Sequence, residues 1–325
     1  MDATEPIALG QELGWSNVAL AFSFILFNAL ISRTCGLELG NSLIVAAVRC
    51  ILQLSLVAVI LQRVFETDNA WAVAGIAFML NLMGATEVVV NKAKRRHQHM
   101  FLSVLVAMLG STVPVSIIGA RFSMSVLPFW SPSQYVPIVG MLCGSTVSAI
   151  VIAVNFILRE LHENKDRIET RLAFGATRFE ACKPVAVEAL RLALTPCINQ
   201  MSVLGIIAIP GMMTGAILGG SSVTQAARLQ TIIIFMISSS TALSSIIITL
   251  LTLNTVVDGE HRVRPDRVDH RPHAVWRARD WVSMRLLETG HAIWSKICSF
   301  IQKQKRRHGI EEDKGAEMEE LLQES

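Results

Sequence analysis

The sequence predicts an all-α, polytopic integral membrane protein with seven transmembrane helices, N-terminus out and C-terminus in. Three observations predict it. Hydrophobic residues make up 52% of the 325 residues and charged ones 17%, with mean hydropathy +0.47. A water-soluble domain could not hide that much apolar side chain, so lipid is the expected solvent. Seven apolar stretches each approach the ~20 residues that cross ~30 Å of hydrocarbon, and without water to satisfy backbone groups each must be helical. Finally, 25 of the 29 lysines and arginines fall on one side of the membrane if the N-terminus is outside, as the positive-inside rule requires of a cytosolic C-terminus.

Taken in order, residues 1–14 form a short outer N-terminus, and spans are expected at about 15–32, 43–61, 70–90, 100–118, 135–157, 196–217 and 229–253. The first is not read as a signal peptide, because Asp2, Glu5 and Glu12 stand where a basic region belongs. Together the spans make a membrane domain over 15–255. Between the fifth and sixth lies a cytosolic hairpin, 158–195, carrying thirteen charges. Leu158, Leu161, Ile168 and Leu172 give its first helix an apolar side ending near Ala173. Gly175 suits a left-handed helix stop, and Thr177 with Glu180 forms a T-x-x-E capping box that starts the next helix.

The cytosolic tail, 256–325, begins with a polar, Pro-containing linker at His261–His273. Beyond it Trp276, Met284, Leu287, Trp294, Cys298 and Ile301 suit one face of a basic helix, either resting on the inner leaflet or solvated. The acidic end, Glu311–Ser325, is expected to be disordered. The six cysteines, Cys35, Cys50, Cys143, Cys182, Cys197 and Cys298, avoid the outer loops, so they read as small apolar filler rather than as a disulfide or zinc framework. No cofactor and no nucleic-acid partner is expected.

Charges inside spans are costly, at least ~2.5 kcal/mol near the centre, and so face protein or a water-filled path. Arg49 and Gln53, at i and i+4 on the second span, and Glu87 near the inner end of the third are therefore candidates for a transport path. At 1.5 Å per residue Arg49 lies about 9 Å and Glu87 about 4.5 Å from the inner helix ends. Antiparallel neighbours could pair them, or both could snorkel to the interface. The sixth span holds Pro210-Gly211-Met212-Met213, where Pro210 removes a backbone bond and should kink or interrupt the helix. Gly211, Gly215 and Gly219 form a GxxxGxxxG ridge that would admit a neighbouring helix. Glu87, Met212 and Met213 are the candidate metal ligands, the two thioethers for a soft ion, with methionine as core filler the alternative. Ser238, Thr241, Ser245, Thr249 and Thr252 place a hydroxyl stripe on the seventh span, for helix packing or a polar path wall. No GxxxxGK[ST], HExxH, GxSxG or GxGxxG motif occurs, so no catalysis is expected and any ATP-driven work needs a partner's ATPase.

Three segments together resemble one family: Arg49-x-x-x-Gln53-Leu54; Pro137-x-x-Gly140-Met141-x-x-Gly144; and Gly175-Ala176-Thr177 … Arg191-x-Ala193-x-x-Pro196 … Gly205-x-x-x-x-Pro210-Gly211-Met212-Met213-x-Gly215. The chain is similar over about 15–255 to the FetB-type permeases, whose bacterial members pair with an ATPase in iron export and whose plant members are the aluminium-sensitive type tolerance proteins. The resemblance implies a permease subunit of an ABC-type transporter, moving metal ions or a metal-linked solute. It also implies a homodimer served by a separate ATPase docked on the hairpin, and it adds Met141 to the path candidates. Glu169, Gly175, Ala176, Thr177 and Glu180 would form the coupling loop, since Glu169 to Gly175 has the E-A-A-x-x-x-G spacing, though Thr170 and Arg171 replace the alanines. The plasma membrane is the expected location, a vacuolar or other internal membrane the alternative. A seven-helix receptor fits the topology too, although Val88-Val89-Val90-Asn91-Lys92 ends the third span in place of Asp/Glu-Arg-Tyr; an ATP-independent channel or scaffold also stays open.

Overall fold

The computed structural model describes residues 14–37, 39–67, 69–93, 95–97, 99–257 and 268–269; the helix expected around Trp276–Ile301 and the acidic end lie outside them. Nine α-helices occur among the described residues: α1 Trp15–Thr34, α2 Gly40–Thr67, α3 Ala70–Thr86, α4 Met100–Ile118, α5 Pro132–Glu163, α6 Lys165–Ala173, α7 Arg178–Val203, α8 Gly211–Leu218 and α9 Val223–Val256. Glu87–Lys92 and Gly119–Ser123 prolong α3 and α4 as π-helical turns. The short strands β1, Arg96–His97, and β2, Val268–Asp269, pair antiparallel, so the expected linker gives one segment to a ladder.

Six of these helices, α1 to α5 and α9, are long and apolar enough to cross a membrane, and the protein is an integral, multi-pass membrane protein. The expectation of seven continuous spanning helices is corrected at the stretch 196–217. There α7 stops at Val203, and the Ile207 and Ala208 N–H groups both donate to the Val203 carbonyl. Gly205 turns the chain at φ +84°, and the Gly205 N–H donates to the Ala208 carbonyl. Pro210 stands extended before α8. A continuous helix would drive the proline ring into the carbonyl one turn back, and the residue before a proline disfavours helical backbone. The chain makes a compact non-helical corner instead.

Short connections make successive long helices antiparallel. The C-terminal ends of α3 and α5, the start of α4, α6 and the start of α7 therefore share one end of the bundle. The end of α4 and the starts of α5 and α9 share the other. Arg95 reinforces the first grouping by donating from Nη1 to the Leu158 carbonyl at 3.2 Å. The long helices α5 and α9 form the centre: Leu142, Ile150 and Ile157 of α5 and Ile233 and Ile248 of α9 are wholly buried. Around them pack α3, α4 and α7. The buried face of α7 is Ala181, Cys182, Ala189, Ala193 and Cys197. With lipid as solvent there is little hydrophobic drive between helices, so small residues that permit close backbone approach carry the packing. By contrast α1 buries only Ala29 and Ser32, and no described side chain of α2 is buried. The α1–α2 hairpin lies at the margin.

The glycine ridge expected at Gly211, Gly215 and Gly219 does not seat another helix of the chain. A methyl at Gly211 or Gly215 meets nothing within 4 Å, and at Gly219 it meets only carbonyls of α8 itself. The close approaches occur elsewhere. A methyl at Gly84 would stand 2.4 Å from Met108 Cε and 3.1 Å from Val147 Cγ2, both on buried side chains. Gly84→Val should therefore overpack the α3–α4–α5 contact and cost ~1–3 kcal/mol. Gly140→Ala, where a methyl meets nothing within 4 Å, should hold stability or raise it by up to ~1 kcal/mol. Thermal unfolding in detergent compares the two; equal melting temperatures would mean that α3 is not held at Gly84.

Candidate functional site

Arg49 of α2 and Glu87, the first residue of the π-helical turn, form a two-pronged ion pair. Arg49 Nη1 donates to Glu87 Oε1 at 3.3 Å, and Nη2 donates to Oε2. The Asn91 side-chain amide also donates to Glu87 Oε2. The wider π turn places Glu87 and Asn91 on one side, and such turns gather at functional sites. Arg49 is 45% and Glu87 23% exposed along the side chain, so the pair lies on the open flank between α2 and α3. Gln53, one turn further along α2, is exposed. No described side chain of α2 is buried, and among the described residues this pair is a polar tie between α2 and the bundle's α3 extension. Its carboxylate is already engaged by three donors and is not a free metal ligand.

At the same end α5 runs on to Glu163, α6 follows after a break at Asn164, and Leu158, Leu161, Ile168 and Leu172 are all buried. Gly175 takes φ +89°, the left-handed conformation that side chains resist, and the Ala176 N–H closes the turn on the Arg171 carbonyl at 3.2 Å. Thr177 and Glu180 then make a reciprocal capping box. The Thr177 N–H donates to Glu180 Oε2 at 2.9 Å, and the Glu180 N–H donates to Thr177 Oγ1 at 3.4 Å. The Thr177 backbone and hydroxyl donors hold the Glu180 carboxyl below its ordinary value of 4.5. Glu169 pairs with Lys165 at 3.4 Å and Ala176 is half-buried. At the tip Phe174 is 89% exposed, and the Arg178 guanidinium lies 5.2 Å from the Phe179 ring centre. Sequence reasoning missed Phe174, although an aromatic in a polar turn between two capped helices is its signal.

A buried polar band runs through the bundle. Thr112 Oγ1 donates to Asn81 Oδ1 at 2.8 Å, and Ser116 and Tyr135 share a hydrogen bond of 2.9 Å. On α9 Ser240, Thr241, Ser244, Ser245, Thr249 and Thr252 are buried, while Ser238 is half-buried. Ser244 and Ser245 return their hydroxyls to the Thr241 carbonyl at 2.9 and 2.8 Å. The hydroxyls of Ser240, Thr241, Thr249 and Thr252 have no hydrogen-bond partner. Asn81, Thr112 and Ser116 were missed as members of this band; single polar residues within apolar spans mark them.

The end of the bundle away from the hairpin opens into a cavity of about 800 Å³ walled by the α4–α5 connection, the start of α5, α8 and the start of α9. Met212 lines it beside Gln134, Gln225 and Arg228. Met141 is half-buried in the adjacent apolar cluster with Met212, Leu142 and Ile233, and Met213 is half-buried. Pro210 and Gly211 frame the entry to α8. The structure thus brings Arg49 to Glu87 but places the Pro210–Met213 segment toward the opposite end. The path expected to join all of them between the second, third and sixth spans near the inner leaflet is not assembled.

A family model described as an uncharacterised protein family, UPF0014, matches residues 15–257. A UPF0014 membrane protein of Synechocystis is 33% identical over 240 residues, covering 73% of this chain and 92% of that protein. Protein ALUMINUM SENSITIVE 3 of Arabidopsis thaliana is 28% identical over 243 residues, 73% of this chain and 85% of its own length. The Escherichia coli protein named Probable iron export permease protein FetB is 26% identical over 247 residues, 76% and 93% of the two chains. No solved structure matches.

Two outcomes follow from the geometry. Arg49→Met or Glu87→Gln alone leaves its partner's charge unpaired and should lower the melting temperature, whereas the double variant should recover most of the loss. A double-mutant cycle on melting temperature reads the coupling, and additive effects would show that the pair does not hold α2. For the cap, the depressed Glu180 carboxyl contributes stability that is full above pH 4.5 and lost as pH falls through its lowered value. The protection of the Thr177 amide from hydrogen exchange, relative to its intrinsic rate at each pH, should fall across that acid range in the parent and lose this dependence in Glu180→Gln.

Proposed function

The chain belongs to the UPF0014 family, and we propose that it is the membrane-spanning permease subunit of an ABC-type transporter whose ATP is hydrolysed by a separate partner. The observation that carries this reading is the α6–α7 hairpin: a rigid turn at Gly175, a locked helix start at Thr177, and an exposed Phe174 at the tip. Such a knob, stiffened by its own caps and standing out of the bundle, suits insertion into a groove of a soluble protein. The chain has no phosphate-binding loop, so the nucleotide chemistry belongs to that partner. The bundle completes seven crossings, with α7 and α8 together making the sixth, and the hairpin and C-terminal tail lie in the cytosol. The distribution of lysine and arginine supports this orientation, and the plasma membrane suits it.

The substrate is a metal ion or a metal-linked solute. Support comes from the relatives, one named for iron export and another for sensitivity to aluminium. Two copies of the chain act together, and the α1–α2 hairpin, with most of its apolar surface unburied, suits contact with a second copy as well as with lipid. In contrast to a receptor or an ATP-independent channel, this assembly requires a stable complex with an ATPase.

The test is gentle purification from native membranes followed by measurement of ATP hydrolysis in the eluate. ATPase activity should co-elute with the parent and fall at least about tenfold in Phe174→Ser and Gly175→Val, the latter through strain of order 1 kcal/mol or more at a positive φ. Melting temperatures of the bundle should stay near that of the parent. Equal ATPase association in both well-folded variants would remove the hairpin from the docking role.

A further inference from the structure

The cavity at the end opposite the hairpin has a chemistry that specifies what it takes. Its lining combines Arg228, the side-chain amides of Gln134 and Gln225, the hydroxyls of Ser125 and Ser221, and the Met212 thioether. Across residues 119–135 and 204–231, which supply the cavity's polar lining, Arg121 and Arg228 are the charged residues, and no Asp, Glu, His or Cys occurs. Arg228 makes no ion pair with a described residue. The cavity therefore presents one guanidinium, flanked by neutral polar groups, whose charge no described residue answers.

A bare metal cation would meet repulsion from Arg228 and find no carboxylate, imidazole or thiolate in the cavity lining. Among the described residues no group of three or more His, Cys, Asp or Glu side chains could hold a metal ion. A guanidinium fork matches instead the paired oxygens of carboxylate or phosphate. The helix that forms one wall of the cavity carries further unpartnered polar groups deeper in the bundle. The hydroxyls of Ser240, Thr241, Thr249 and Thr252 on α9, the helix that carries Arg228, are nine-tenths or more buried and lack hydrogen-bond partners. Buried hydroxyls without partners are costly. From Ser240 to Thr252 they span ~18 Å of the helix axis at 1.5 Å per residue.

We propose that this cavity is a binding site for a small, oxygen-rich anionic solute, its carboxylate or phosphate held by Arg228, with Gln134 and Gln225 donating to it. The inference rests on the permease reading and specifies its solute: a metal would enter this cavity as part of an anionic complex.

The purified full-length chain in a neutral detergent is titrated calorimetrically with citrate, inorganic phosphate, glucose 6-phosphate, glucose and ferrous ion alone. At least one of the three anions should bind, more weakly as salt rises, while glucose and ferrous ion alone should not. Arg228→Gln should raise the Kd at least about tenfold, Arg228→Lys should recover part of the loss, and Arg121→Gln should leave the Kd unchanged. Because Arg228 has no ion-pair partner to strand, its variants should melt with the parent. Binding of no anion, or anion binding indifferent to Arg228→Gln, overturns the proposal. The second arm reconstitutes the protein in discs of phosphatidylcholine with and without phosphatidylglycerol. If native mass spectrometry shows Arg228-dependent retention of phosphatidylglycerol that none of the soluble anions displaces, the oxyanion is a lipid headgroup and the solute assignment falls. Loss of ATPase pairing with anion binding intact would count against the permease reading alone. The converse would count against this site alone.

Discussion

Hydrocarbon supplies no hydrogen-bond partner, and the rest of this architecture follows from that constraint. Backbone groups in such a medium are satisfied by closing on themselves, which gives the long helices α1 to α5 and α9. Side chains obey the same rule. Asn81 is held by Thr112 and by the carbonyl of Ala77, Ser116 by Tyr135, and Glu87 by Arg49 and Asn91. Where a group is not closed on a neighbour, as at the four buried hydroxyls of α9, the cost of about 1–3 kcal/mol each calls for a reason. Packing alone does not give one.

The same constraint sorts what was legible in the sequence from what was not. Apolar length marks a span because burial in lipid is set by composition, and six of the seven expected stretches coincide with helices that are long and apolar enough. The hairpin's turn and cap were legible because each follows a local rule: glycine for a positive φ at Gly175, and threonine with glutamate three residues on at Thr177 and Glu180. The break at Pro210 was legible as a break but not as a corner starting at Val203, since the Gly205 turn and the bonds closing it depend on neighbouring backbone. Helix-to-helix contact was the least legible. The GxxxGxxxG spacing at Gly211–Gly219 pointed to a ridge, yet the tight contacts occur at Gly84 and Gly119, where single glycines meet Met108 and Met236. Spacing tells which residues share a face; it does not tell what stands opposite.

Arg49 and Glu87 show how the two kinds of reasoning meet. Cost in lipid said that each charge needs a partner, and antiparallel order allowed them to be partners. The forked geometry, and the place of Glu87 at the mouth of a π turn with Asn91 beside it, came only from the structure. It also reassigns the pair's role. Neutralised in this way it serves as a clasp for a helix of which no described side chain is buried, and it leaves Arg228, at the far end, without an ion-pair partner among the described residues.

Under the permease reading, the two ends of the bundle are joined by one element. Helix α7 starts at the Thr177 cap and runs 26 residues to Val203, ~39 Å at 1.5 Å per residue. Its small-residue face lies against α5 and α9, which lets it slide with few interlocking side chains to disengage. The capping box makes its start stiff, so a displacement imposed at the hairpin tip is carried along the helix rather than absorbed by fraying. The corner at 204–210 then lets α8, with Met212 on the cavity wall, follow without remaining collinear. A continuous helix through Pro210 would have moved as a single rod. The broken one can turn movement at the hairpin into a change of cavity shape, and the helix-breaking chemistry of one proline is what permits it.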